Sequence, residues 1–295
     1  VSGFKKATKA QAKLRAAVFG PSGAGKTFSC LRIARGLAGA AGSIAVIDTE
    51  RGSASKYADR FEFDVMELED QTIEGYCHAI RQAAEAGYAV LLIDSLSHGW
   101  QTLLEEVEKL AKAKYRGNTW SAWSEGTPLQ RKLVQAILNY PGHVLATMRS
   151  KTEWTTVDSG NGKKTPQRIG LAPEQGKGVE YEFDLLVEIS TEHIANVIKD
   201  RTGKFQDKLI EKPGEDFGKS LAAWLSEGEP AKPEPSAADN ARNAIAKADS
   251  VERLEAIRRA VDARHAEGVF SDAVKAELIT LCLNRTEELM EEVAT

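Results

Sequence analysis

Gly20-Pro21-Ser22-Gly23-Ala24-Gly25-Lys26-Thr27 match the pattern G-x-x-x-x-G-K-S/T, which holds nucleotide phosphates. Glycines let successive backbone N–H groups turn inward around phosphate oxygens, and a helix that starts here presents its positive end to the same anion. Lys26 is then the side chain for the β- and γ-phosphates, and the Thr27 hydroxyl is a ligand for Mg2+. A second signal is the apolar run Ala89-Val90-Leu91-Leu92-Ile93 that ends in Asp94. Burying a carboxylate costs several kcal/mol unless it is paired, and a magnesium-bound nucleotide beside Asp94 resolves that cost. With the phosphate loop upstream, Asp94 reads as the Walker B aspartate that holds Mg2+ through water. A third carboxylate, Glu50, follows the run Ile44-Ala45-Val46-Ile47-Asp48 at the carboxyl edge of the same sheet, where open α/β sheets collect ligands. It can serve as general base for an attacking water, with a surface ion pair to Arg51 or a lysine as the alternative. No N-K-x-D is present, and Asp48 to Gly52 is one residue too long for D-x-x-G, so ATP is the expected nucleotide.

These residues need an alternating α/β scaffold to bring them together, and the pattern supplies one. Strands are predicted over 14–19, 43–48, 62–68, 88–94, 143–149, 183–190, 194–200 and 205–210, and helices over 26–40, 72–86, 101–114, 128–139 and 215–226. Short connections between the last strands predict an antiparallel edge on a mainly parallel sheet. Residues 228–238 (GEPAKPEPSAA) read as a proline-rich linker. Beyond it, apolar residues recur at helical spacing over 239–295, with Ser250 and Ser271 as N-caps and Gly268 as a stop, which predicts a three-helix module. The main core is then 1–227.

The 295 residues suit one large domain plus a small one, with 42% hydrophobic and 28% charged residues in the globular range. A net charge of −4 gives no global reason to bind nucleic acid or an anionic membrane, so any anion site is local. Residues 1–47 carry Lys5, Lys6, Lys9, Lys13, Arg15, Lys26, Arg32 and Arg35 and no acid; Lys26 apart, these read as a solvated face. The C-terminal module has the opposite balance, nine bases against fourteen acids over 229–295, which favours a protein partner over nucleic acid. The apolar run from Tyr88 to Ile93 is far short of the ~18–20 residues of a membrane span. No signal-peptide pattern opens the chain, so a cytoplasmic protein without membrane contact is expected. Its first residue, Val1, suggests a trimmed or processed start.

Residues 151–180 have little strand or helix pattern, and loops this long in compact domains are usually functional or disordered. Lys151, Lys163, Lys164, Arg168 and Lys177, with Trp154, supply phosphate-seeking charge and a stacking platform for single-stranded nucleic acid, with a hairpin tip around Ser159-Gly160-Asn161-Gly162 and incidental lysines as the alternative. Trp100, Trp120 and Trp123 read as core anchors. Cys30, Cys77 and Cys282 are widely separated and read as buried free thiols. His98 and His143 lack metal-spaced partners, so no metal beyond Mg2+ is expected.

The GPSGAGKT loop, VIDTERG, LLIDSLSH, ATMRSKTEW (146–154), GLAPEQGKGVEYEFDLL (170–186) and VIKDRT (197–202) together resemble the RecA-type ATPase core. The likeness is to phage-encoded, AAA-type nucleotide-binding proteins of the RecA-like single-strand annealing and recombination group, over about residues 13–226. It implies a RecA-like P-loop NTPase fold and a DNA-stimulated ATPase acting in phage recombination, annealing or repair, in the host cytoplasm. By the same resemblance Glu50 is the catalytic glutamate, Thr147 or Arg149 the γ-phosphate sensor, and residues 151–180 the DNA-contacting loop. Lys199 and Arg201 match a K-x-R pair that reaches the nucleotide of a neighbouring subunit, which implies a homo-oligomer. The group's separate N-terminal DNA-binding or polymerisation domain is not expected ahead of this core. The C-terminal helices would contact a protein such as a single-strand binding protein. Two other readings fit the motifs: a nucleotide or small-molecule kinase with 151–180 as a basic lid, and an ATP-gated interaction module.

Overall fold

Every residue of β1 (Arg15–Gly20) is buried, as a strand covered on both faces must be. The same holds for β2 (Ile44–Asp48) and β4 (Val90–Asp94), whereas β3 (Asp64–Glu67) is largely exposed at the sheet margin. The computed structural model describes residues 11–158, 164–228, 237–266 and 269–294. The chain divides into two compact units, Val1–Pro230 and Ala231–Thr295.

In the first unit the remaining strands are β5 (His143–Asp158), β6 (Lys164–Pro173), β7 (Leu185–Ile189), β8 (Ile194–Asp200) and β9 (Leu209–Glu211). The order is β3-β2-β4-β5-β1-β7-β8-β9, parallel from β3 to β7 and antiparallel at β8 and β9, while β6 pairs only with β5. This is a mainly parallel α/β sheet with an antiparallel edge, as the sequence pattern predicts. Between β1 and β4 lies β5, so the phosphate-loop strand and the Asp94 strand flank a shared neighbour.

The helices are α1 (Lys26–Ala38), α2 (Ile73–Glu85), α3 (Leu96–Lys114), α4 (Thr119–Leu138), the single turn α5 (Val179–Glu182) and α6 (Glu215–Ser226). Side chains of α2, α3 and α4 fill one core layer, around Tyr76, Leu91, Ile93 and Leu103. Those of α1 and α6 fill the opposite one, around Leu31, Leu92, Leu145 and Leu221. The crossing of α1 and α6 depends on two glycines. A Cβ on Gly36 would collide with the Glu215 carbonyl, and one on Gly218 with the Ile33 carbonyl.

Four expectations need correction. The segment 151–180 is no loop: β5 runs straight out of the sheet and pairs with β6 from Ser150↔Pro173 to Asp158↔Lys164, with a bulge at Glu153/Trp154. Residues 151–170 lack the apolar alternation that marks strands, so the pattern alone does not reveal this pairing. The helix placed at 128–139 begins at Thr119, where the Asn118 side chain accepts from the Ser121 amide, and Pro128 lies inside it; α3 likewise begins earlier than 101, at Leu96. Trp120, in the first turn of α4, is 88% exposed and anchors nothing, whereas Trp100 and Trp123 stack with centroids 5.6 Å apart. Finally, Arg15 is not on a solvated face. Its guanidinium is buried and donates to the carbonyls of Leu14 (3.0 Å), Gly142 (2.7 Å), Leu138 (2.9 Å) and Tyr140.

The second unit comprises α7 (Ala237–Ala246), α8 (Val251–Ala266) and α9 (Asp272–Ala294), closed over Ile245, Leu254, Val261, Phe270, Leu278 and Cys282. Ser250 and Ser271 cap α8 and α9 by accepting from the amides of Arg253 and Val274. Arg242 forks onto Glu277 through Nε and Nη2, both at 2.8 Å. Linker residues 229–236 and Gly268 lie outside the described residues. The three cysteines are free and buried. Among the described residues no helix is long and apolar enough to cross a membrane.

Candidate active site

β1 ends at Gly20, and α1 begins at Lys26 with Gly25 as its N-cap. Gly23 and Gly25 have φ of 79° and 77°, a left-handed backbone that a side chain would strain. No side chain caps α1 and no acid lies in its first turn, so the positive end of the helix faces the cleft uncompensated. From the turn between β7 and β8, His193 Nδ1 donates to the Ala24 carbonyl at 3.1 Å and braces the loop from outside.

Lys26 Nζ donates to the carbonyls of Gly20 (3.0 Å) and Pro21 (2.9 Å), so it lies over the loop. Burial lowers its pKa, and the carboxylates of Asp94 and Glu50 oppose the shift. Asp94 is 2% exposed. Thr27 Oγ1 donates to its Oδ2 at 2.6 Å, and Thr147 Oγ1, on β5, donates to Oδ1. Burial raises the Asp94 pKa, and the two hydroxyls moderate the rise. Two strands and the first turn of α1 therefore meet at one carboxylate.

Glu50 stands across the cleft, just past β2. Asp48 sets its position: Oδ1 accepts from the Glu50 amide at 2.6 Å and Oδ2 from the Ala54 amide at 2.9 Å. The Glu50 carboxylate meets Arg149 Nη2 at 3.2 Å. A cleft of about 590 Å³ is lined by the loop together with Lys26, Thr27, Glu50, Asp94, Arg149 and Glu174. A second cavity of about 420 Å³ shares Gly23, Gly25 and Tyr57 with it and adds Phe28, Arg32, Arg60, His193 and Lys212.

The sequence reading missed a layer beneath. Thr49 Oγ1 accepts from the Ser95 amide at 2.8 Å and contacts His98 Nδ1 at 2.6 Å, while Tyr76 donates to the Ser95 carbonyl at 2.6 Å. The Asp94–Ser95 peptide is cis. Burial pushes the Tyr76 phenol up to about 12 and the His98 imidazole down, with Arg149 adding to the latter. Contiguity with Asp48, Glu50 and Asp94 marked Thr49 and Ser95; nothing in the sequence marked Tyr76, and His98 stood out only as a histidine without metal-spaced partners.

Two expected residues stand apart from this cleft. Lys199 Nζ donates to the carbonyls of Glu180 (3.1 Å) and Tyr181 (2.6 Å). Arg201 bonds Asp184 Oδ1 at 3.2 Å and the Tyr181 carbonyl at 2.9 Å. Both cations do point the same way, but onto the backbone of α5. On the hairpin, Lys151 is exposed, as is Lys177 beyond it. Backbone pairing sets Trp154 opposite Arg168 and Asp158 opposite Lys164, and Lys163 lies outside the described residues.

Among the described residues no group of three or more His, Cys, Asp or Glu could hold a metal unaided. The hydroxyl of Thr27 and the carboxylate of Asp94 are hard oxygen donors and fit Mg2+. That ion keeps several waters and takes one or two protein carboxylates alongside substrate phosphates.

No curated protein matches this chain. Among solved structures, a KaiC-like protein from the hyperthermophilic archaeon Pyrococcus horikoshii aligns at 14% identity with a TM-score of 0.39, over 68% of this chain and 87% of that one. The AAA_24 family, described as an AAA domain, matches residues 12–209. That span takes in β1 through the start of β9, with every residue of the cleft inside it, and the chain belongs to the AAA_24 family of P-loop ATPase domains.

Proposed function

We propose that this chain binds ATP with Mg2+, hydrolyses it as a homo-oligomer, and couples turnover to single-stranded DNA in phage recombination, annealing or repair. The observation that carries the hydrolytic part is the buried Asp94 held by Thr27 and Thr147, with Glu50 on the opposite side of the same cleft. The loop amides and Lys26 receive the phosphates, and Thr27 and Asp94 hold the cation. Bound Mg2+ supplies neutralisation of charge on the phosphate oxygens. Glu50 accepts a proton from the attacking water as its oxygen bonds to the γ-phosphorus; the bond to the bridging oxygen breaks, and ADP and phosphate leave.

Support for the DNA part is the projecting hairpin, which is a continuation of the strand carrying Thr147 and Arg149 and holds Lys151, Trp154, Lys164 and Arg168. The acid-rich C-terminal helices are the proposed contact for a protein partner. Phosphate release from ATP, measured with and without single-stranded DNA, tests the reading. Release is expected to rise with DNA and to vanish in Lys26→Ala; undiminished release in that variant removes the assignment of the loop. Transfer of phosphate to an acceptor, or tight ATP binding with no release, would replace it by a kinase or a gated module.

A further inference from the structure

We infer that the cavity of about 420 Å³ beside the phosphate loop is a site for a further phosphate on the ribose, so that the chain binds nucleotides phosphorylated at the 2′- or 3′-oxygen more tightly than plain ones. The inference rests on the proposal above that the loop holds nucleotide phosphates. The two cavities meet at Gly23, Gly25 and Tyr57. Lys26, Thr27, Glu50 and Asp94 line the first, which is therefore the end for the phosphate chain. A nucleotide seated there sends its sugar and base past the start of α1 into the second. Phe28, on α1, packs on Tyr57 with ring centroids 5.5 Å apart, and this apolar wall suits a base.

Charge sets the two cavities apart. In the first, Lys26 and Arg149 face the carboxylates of Glu50, Asp94 and Glu174. The second is lined by Arg32, Arg60 and Lys212 and by no carboxylate. These cations come from three separate segments: α1, the connection between β2 and β3, and the turn between β9 and α6. Arg32 is half-buried and has no carboxylate partner among the described residues. Its Nη1 donates to the Lys212 carbonyl at 3.1 Å, and its guanidinium lies against Gly214, where a Cβ would come within 2.5 Å of Nη2. The fork is thus held in place with further N–H donors uncommitted. Lys212 makes no side-chain hydrogen bond or ion pair among the described residues, while its amide donates to the His193 carbonyl at 2.8 Å. Arg60 meets its neighbour Asp59 at 3.6 Å, with both side chains exposed. The phosphate chain is already served by the loop amides, the open end of α1 and Lys26, and neither ribose nor base is charged, so none of them calls for three more cations. A phosphate on the ribose does. An arginine near the sugar is what accommodates a 2′-phosphate in dinucleotide sites, and guanidinium grips phosphate through charge-assisted pairs.

The test is titration calorimetry of the full chain with Mg2+ and, in turn, ADP, adenosine 2′-phosphate 5′-diphosphate and adenosine 3′-phosphate 5′-diphosphate. One of the two ribose-phosphorylated forms is expected to bind about tenfold tighter than ADP, as added charge-assisted hydrogen bonds to partly exposed cations would give. Which form gains reports which ribose oxygen faces Arg32. The same titrations follow for Arg32→Gln, which keeps a donor for the Lys212 carbonyl, and for Lys212→Gln and Arg60→Ala, which alter exposed side chains. The ratio of the two affinities should fall toward one in Arg32→Gln and part of the way in the other two. The inference is overturned if neither phosphorylated form binds tighter than ADP, or if the ratio survives in all three variants. Equal losses for ADP and for the phosphorylated forms also overturn it, and make the three cations a general attraction for the phosphate chain. No binding of ADP or ATPγS by the unmodified chain defeats the reading of the loop itself, whereas ADP binding without a gain from the ribose phosphate defeats this inference alone.

Discussion

Asp94→Asn should make the ligand-free chain more stable at neutral pH. Asp94 is 2% exposed, its oxygens are met by two neutral hydroxyls, and it has no ion-pair partner among the described residues. Burial therefore dominates and raises its pKa. A carboxyl raised in the folded state contributes stability that is complete below the unfolded value, about 3.9, and is lost as pH rises through the folded value. At pH 7 the ionised group weighs against the fold. Asparagine keeps the shape, accepts from one threonine and donates to the other, so no buried polar atom is orphaned. Removal of a buried charge with two neutral partners is worth about 1–3 kcal/mol, or a rise of about 3–8 °C in Tm for a unit of this size. Differential scanning calorimetry across pH reads the effect, and the advantage of the variant should shrink on acidification and close near pH 4. Added Mg2+ and ATPγS should reverse the order, because ligand at a hundredfold over Kd stabilises the unmodified chain by about 3 kcal/mol and the variant by far less. A variant less stable at pH 7, or one whose gain ignores pH, would refute the reasoning.

Glu50→Gln should bind nucleotide normally, since the tie from its amide to Asp48 is untouched. Turnover should fall by about 10²–10⁴, and single-turnover phosphate release is the measurement. If Lys199 and Arg201 reach a neighbour's nucleotide, inactive Arg201→Ala and inactive Lys26→Ala chains should recover activity on mixing. Absence of rescue, with turnover independent of protein concentration, would leave both residues as ties to Tyr181 and Asp184. Gly36→Ala, which drives a methyl into the Glu215 carbonyl, should cost about 1–3 kcal/mol despite the better helix propensity of alanine; urea unfolding measures it, and unchanged stability would mean that α1 and α6 have room to part.

The phosphate loop was legible because its function is written in backbone needs: glycine at positive φ between an apolar strand and a helix. Asp94 and Glu50 were legible for a related reason, a carboxylate at the end of a buried run being anomalous unless it serves something. The strands of the hairpin were not, because the sequence there carries no strand period, although Ser159-Gly160-Asn161-Gly162 does read as a hairpin tip. Thr147 was placed by resemblance, yet its bond to Asp94 comes from β5 lying beside β4, and strand order cannot be read from one sequence. The network of Thr49, His98, Tyr76 and Ser95 was invisible on the same ground.

Arg15 has a consequence for how much change this fold tolerates. Four carbonyls, from Leu14, from the last residue of α4 and from the turn after it, converge on one planar group with donors in a fixed fork. Lysine brings a single nitrogen with three donors and cannot span that spread, so the usual exchange of one base for another would strand carbonyls in the interior. A position that looks like disposable surface charge in the one-dimensional record is thus among the least substitutable in the chain. Any redesign of the basic N-terminal stretch has freedom at exposed Lys13 and none two residues later.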